Sequence, residues 1–154
     1  MFTHIENAIA AIGRGEIVIV VDDEDRENEG DLIMAADKIT PEAMSFFVRY
    51  TSGVICMPMT GERLDELQLP LMVSNNTESQ RTAFTVSVDA AVETTTGISA
   101  ADRAATVKKL IDPASRPTDF ARPGHISRCA TARAACSSGP VTPRPPWTCR
   151  GWRA

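Results

Sequence analysis

Ile17-Val-Ile-Val-Val21, then Asp22-Asp-Glu-Asp-Arg-Glu-Asn-Glu-Gly-Asp31, then Leu32-Ile-Met-Ala-Ala36: this stretch decides the fold. The first segment is a continuous β-branched run, the pattern of a central strand covered on both faces rather than an alternating edge. Leu32 to Ala36 reads as a second strand. The acidic segment joins the two directly, with no helix between them, so the chain is not built from regular strand–helix–strand units. That favours α+β, a mixed sheet with helices against it, over a doubly wound parallel fold.

The connecting segment is too concentrated in one chemistry to be a mere link. Asp22, Asp23, Glu24, Asp25, Glu27 and Glu29 surround Arg26 and precede Asp31. Carboxylate oxygens are the ligands of hard divalent cations such as magnesium, and an arginine among them suits a phosphate or sugar oxygen. A solvated acidic loop is the bland alternative. Crowding against an apolar strand and punctuation by Gly30 instead point to a site loop held at a strand end.

Outward from this stretch, Ile5, Ala8, Ile9 and Ile12 recur at helical spacing, and Gly13 and Gly15 stop that helix. Thr40-Pro41-Glu42 is a helix start, a hydroxyl cap followed by a proline where no donor is needed, and this helix runs to about Tyr50. Gly53 to Met57 is a third strand, residues 62–67 a short helix, and Ala83 to Val88 a strand of period two. Ser99 with Asp102 resembles a capping box and opens a helix to about Ile111, which Asp112-Pro113 breaks. No Gly-rich phosphate loop or dinucleotide fingerprint occurs, since Gly13 and Gly15 precede the first strand.

Composition divides the chain. Residues 128–154 hold five Arg, no Lys, no acid, four of the ten Pro, both Trp and three of the four Cys, whereas residues 1–127 carry all 20 acids. Such a break marks a linker, an arm or foreign sequence, and the tail is expected to be disordered. Cys129 and Cys136 lack metal-ligand spacing, and no histidine follows them. The start of the chain lacks the basic segment, apolar run and cleavage site of a secretory signal, and no apolar stretch approaches the roughly 20 residues that cross a bilayer. A cytoplasmic protein without membrane contact is expected. The acidic body argues against nucleic acid as its partner.

Asp22 to Asp31, Thr51-Ser-Gly-Val-Ile-Cys56, Asn75-Asn-Thr77, Thr95-Thr-Gly-Ile-Ser-Ala-Ala-Asp-Arg103 and Arg122-Pro-Gly-His125 resemble, in order, the motifs of 3,4-dihydroxy-2-butanone 4-phosphate synthase of riboflavin biosynthesis. The resemblance covers about residues 5–126. It implies a three-layer α/β/α domain and a homodimer with its site near the interface. The implied lyase uses magnesium, with manganese as a substitute, to convert D-ribulose 5-phosphate to L-3,4-dihydroxy-2-butanone 4-phosphate and formate. By the same resemblance Arg26 and Glu27 bind substrate, Glu27 is also a metal ligand, and Asp31 is a substrate contact. Glu29, a further loop carboxylate, His125, an essential residue, and Cys56, a neighbour of the site, are the implied catalytic residues. These types suit the chemistry: a metal on adjacent sugar oxygens polarises a carbonyl while acid and base groups move protons. Without the resemblance, His125 would read as a turn histidine bonded to backbone, and Cys56 as strand packing.

The family's second histidine motif, its Thr-Glu-Ala sequel and a later catalytic glutamate find no match in residues 128–154. The second metal ligand and most of the phosphate site are therefore expected to be missing. In GC-rich codons, His-Thr-Glu-Ala-Ala-Val-Asp-Leu read one nucleotide late gives Thr-Pro-Arg-Pro-Pro-Trp-Thr, the sequence of residues 142–148. The expectation is a synthase domain over residues 1–127, incomplete and inactive as it stands, followed by an out-of-frame tail over 128–154. The alternative is a non-catalytic, dimerising interaction protein whose basic Pro-rich tail meets a partner.

Overall fold

The computed structural model describes residues 4–21, 25, 28–51, 54–79 and 82–127. Arg26, Glu27 and the whole of 128–154, with the expectations attached to them, lie outside the described residues.

Helix α1 spans Ile5–Arg14 and buries Ala8 and Ile12 on one stripe. Gly15 ends it in the left-handed region at φ 84°. Its N–H reaches the Ile12 carbonyl at 2.9 Å while the Glu16 N–H reaches that of Ala11 at 3.0 Å. This pair of bonds satisfies carbonyls the helix end would leave bare. Strand β1, Val18–Val21, then pairs antiparallel with β2, Gly30–Ile33, in the register Val18–Ile33 to Val21–Gly30. The acidic segment is thus flanked by an antiparallel pair of strands. One expectation fails here: among the described residues β1 pairs with β2 alone, and Ile19 is 70% exposed. Among the described residues the apolar run is a strand with a single neighbour.

Helix α2, Pro41–Tyr50, opens with the Thr40 hydroxyl accepting the Ala43 N–H at 3.1 Å and buries Met44. Of the expected strand at 53–57, the described residues 54–57 keep a single parallel bridge between Cys56 and Ser127, made by Met57 N–H to the Ser127 carbonyl and Ser127 N–H to the Ile55 carbonyl. Helix α3, Gly61–Glu66, is capped by Thr60 and buries Leu64. The expected strand at 83–88 is displaced. Residues 84–86 instead meet residues 70–72 through a bridge, and β3 occupies Val88–Ala90.

Helix α4, Ala100–Ile111, packs against both α2 and β3. Its cap is only half the expected box. Ser99 Oγ accepts the Asp102 N–H at 3.0 Å, but the Asp102 carboxylate turns to the preceding loop. Strand β4, Phe120–Ile126, pairs antiparallel with β3 and runs through the Arg-Pro-Gly-His motif, where a turn was the bland reading. Antiparallel pairs beside one parallel bridge, with helices packed on them, make the class α+β, as the sequence implies.

The core lies where α4, α3 and the β3–β4 pair meet. Leu67, Leu110, Val88 and Ile126 are fully buried there, each contributing about 1.5–3 kcal/mol by the removal of its side chain from water. Thr106, also fully buried, ties helix to sheet: its hydroxyl accepts the Ala90 N–H at 3.0 Å and donates to the Asp102 carbonyl at 2.9 Å. Among the described residues no helix is long and apolar enough to cross a membrane.

Candidate active site

The register of β3 with β4 jumps. Val88 faces Ile126, but the next residue, Asp89, faces Ala121, so Arg122 to His125 form an excursion opposite a single step of β3. Three residues of that excursion are fixed by the chain they face. Gly124 lies so close that a Cβ there would overlap the Val88 carbonyl carbon and the Asp89 nitrogen, and its N–H bonds Ser87 Oγ at 3.2 Å. Arg122 donates to the carbonyls of Pro117, Phe120 and Leu67 at 2.9–3.0 Å. His125 is held by Asp89.

Both oxygens of Asp89 act on that one residue. Oδ1 accepts the His125 main-chain N–H at 2.8 Å, and Oδ2 stands 2.8 Å from the ring Nδ1. Asp89 itself is 8% exposed, whereas about a third of the His125 side chain remains open. A buried carboxylate is tolerated only when its acceptor sites are met, and here they are. Pairing of this kind suits a histidine that moves protons.

Behind Asp89 stands a second carboxylate. Gly97 adopts φ +81°, and a Cβ at Gly97 would fall on the Asp89 carboxylate. The Gly97 N–H donates to Asp102 Oδ2 at 3.1 Å, and Thr95 Oγ1 donates to the same oxygen at 2.9 Å. The Thr95 hydroxyl holds the Asp102 carboxyl below the usual carboxylate range, with Gly97 and Ser99 adding to the effect and burial opposing it.

The other expected site residues fall elsewhere or nearby. Glu29 is exposed just before β2, and Asp31 is exposed within it, opposite Val20. Among the described residues no hydrogen bond or ion pair joins either to His125. Cys56 is half-buried at the bridge to Ser127, two residues beyond His125, so the structure brings it to the same strand end. Magnesium takes six oxygen or nitrogen donors in near-octahedral array. Among the described residues no three His, Cys, Asp or Glu side chains converge; magnesium keeps several waters and needs only one or two carboxylates. Sequence reading missed Asp89. The signal was present in Val88-Asp89-Ala90-Ala91-Val92, an acid inside an apolar run, which must find a partner if the run is buried.

A family model described as 3,4-dihydroxy-2-butanone 4-phosphate synthase matches residues 6–137. A 3,4-dihydroxy-2-butanone 4-phosphate synthase of Agrobacterium fabrum is 66% identical over 122 residues, covering 79% of this chain and 57% of the relative. One from Candida albicans is 56% identical over 126 residues, covering 82% of this chain and 62% of the relative. A crystal structure of a 3,4-dihydroxy-2-butanone 4-phosphate synthase in complex with two magnesium ions superposes with TM-score 0.84 at 48% identity, covering 87% of this chain and 62% of that one. The chain therefore spans less than two thirds of the length of these relatives.

Proposed function

The chain belongs to the 3,4-dihydroxy-2-butanone 4-phosphate synthase family, and from that premise we propose that residues 1–127 carry part of the active site of a riboflavin-pathway lyase. The reaction is conversion of D-ribulose 5-phosphate to L-3,4-dihydroxy-2-butanone 4-phosphate and formate. Arg26 and Glu27 bind the sugar phosphate, Asp31 contacts it, Glu29 and His125 exchange protons with it, and Cys56 borders the site. The observation that carries this reading is His125 gripped by a buried carboxylate within a stretch that shares 66% identity with the Agrobacterium synthase.

Magnesium, or manganese in its place, would use Glu27 as one ligand. Residues 128–154 contain no histidine and no carboxylate side chain, so they offer no second one. The chain as it stands is accordingly proposed to have little turnover. It works in the cytoplasm as a homodimer; the exposed Phe46 and Tyr50, one turn apart on α2 with ring centroids 4.6 Å apart, support the dimer. The same apolar residues favour the second reading, a non-catalytic dimerising protein.

A fusion of residues 1–127 to the remaining C-terminal segment of the Agrobacterium relative separates the two. With ribulose 5-phosphate and magnesium, the fusion is expected to release formate at rates in the ordinary enzyme range, on the order of 1 per second. The unaltered chain releases little, and Glu27→Gln or His125→Ala silences the fusion. A fusion that folds and dimerises without forming formate would favour the interaction protein.

A further inference from the structure

We infer that Asp89 is a positioning residue that fixes the tautomer of His125, holding the proton on Nδ1 and leaving Nε2 as the nitrogen that accepts one. Its value to catalysis rests on the proposed reaction, but the tautomer itself does not. The assignment follows from which atoms are already committed. A carboxylate offers only acceptors, so the ring nitrogen facing Asp89 Oδ2 at 2.8 Å carries hydrogen. A neutral imidazole has one such hydrogen, so the lone pair lies on Nε2.

The grip also fixes where the ring sits. Oδ1 holds the His125 main-chain N–H, so a single rigid group spans backbone and ring and determines the side-chain torsions between them. Asp89 has little freedom of its own. Gly97 closes the space beside the carboxylate, and Gly124 presses on the backbone of Val88 and Asp89. A histidine placed to take a proton from a sugar carbon or hydroxyl needs a defined lone pair in a defined direction, and a carboxylate on the opposite nitrogen supplies both.

Asp89→Asn makes a sharp test because the main-chain bond dictates how the amide must lie. The Asn oxygen has to accept the His125 N–H, which turns the NH2 group toward Nδ1. Nδ1 must then accept, and the ring proton moves to Nε2. The full chain is labelled with 15N-histidine and studied above the pH at which both imidazoles are neutral. The chain has only two histidines, and His4→Gln assigns the signals.

In the unaltered chain, Nδ1 of His125 is expected at the protonated 15N position and Nε2 at the lone-pair position. In Asp89→Asn the two exchange, while the amide signals of β3 and β4 stay dispersed. A proton on Nε2 in the unaltered chain overturns the inference, whether or not the variant folds. A folded variant whose His125 tautomer is unchanged overturns it as well. Loss of formate production in the fusion to the Agrobacterium segment leaves these spectra as they are, so failure of the reaction and failure of the tautomer assignment are distinguishable.

Discussion

Gly97 has no room for a side chain because the carboxylate of Asp89 stands where its Cβ would be. The glycine is itself held from the other side, its N–H donated to Asp102 Oδ2 at 3.1 Å. Three residues from different parts of the chain therefore act in series on a fourth, with Asp102 at the start of α4 holding Gly97, Gly97 backing Asp89, and Asp89 gripping His125. The glycine is the thinnest member of the series and the easiest to perturb.

Gly97→Ala is expected to destabilise the fold by about 1–2 kcal/mol through left-handed strain alone. It costs more in practice, since Asp89 must also shift. Chemical denaturation measures the loss, and the His125 amide signal reports the displaced carboxylate. A variant with unchanged midpoint and unchanged His125 shift would refute the close packing at Gly97.

Thr106→Val keeps the shape of a fully buried side chain but removes the acceptor for the Ala90 N–H. Leaving that donor unpaired is expected to cost about 1–3 kcal/mol. Thr106→Ser retains the hydroxyl and should lose less than the valine variant beyond its missing methyl group. Equal stabilities of the valine variant and the parent, read from urea midpoints, would argue that the bond contributes nothing.

Acid should destabilise the fold through Asp102. Its folded-state carboxyl sits below the usual range because Thr95 donates to it. A group depressed in this way contributes stability above its unfolded value of about 3.9, and that contribution is lost as pH falls through the lower folded value. Thr95→Val removes the principal donor, so its stability should fall less steeply than the parent's on acidification below about pH 4. Parallel pH profiles for the two proteins would rule Thr95 out as the cause.

Magnesium is expected to bind the fusion to the Agrobacterium segment much more tightly than it binds the unaltered chain. Glu27→Gln should weaken binding in the fusion and change little in the parent. Manganese, followed by its paramagnetic resonance signal, allows both to be titrated directly. Matching affinities in fusion and parent would mean that residues 1–154 already supply a full ligand set, contrary to the composition of the tail.

Helix starts were legible in the sequence because their signals are local. Thr40 with Pro41 and Ser99 each place a hydroxyl where the next turn's N–H needs it, and Thr60 does the same for α3 although the sequence reading did not single it out. Gly15 likewise ends α1 from its own backbone preference. Strands were harder. The run at 17–21 announces a strand, but how many neighbours it has depends on segments far away, and Ile19 turns out to be exposed. Strand β4 escaped notice because Arg122-Pro-Gly-His125 has the composition of a turn, and only β3 gives it a partner. The same distance hid Asp89, which is 36 residues from His125 and carries no motif. Motif resemblance singled out His125 and the acidic loop as candidates without that help, since it reads residue types directly. It did not single out the carboxylate bonded to that ring. Cys56 was named by the same resemblance, and the bridge to Ser127 brings it near the end of β4, while Arg26 and Glu27 lie outside the described residues.

Arg122 and His125 sit in one four-residue motif and have opposite vocations. The guanidinium donates to the protein's own backbone, at Pro117, Phe120 and Leu67. A cation engaged in that way is masonry: it braces the wall from which the imidazole projects. Replacing Arg122 by lysine would preserve the charge and lose the brace, because a single ammonium cannot span three carbonyls in a planar fork. In this motif the fold depends on the shape of the group that bears the charge as well as on the charge itself.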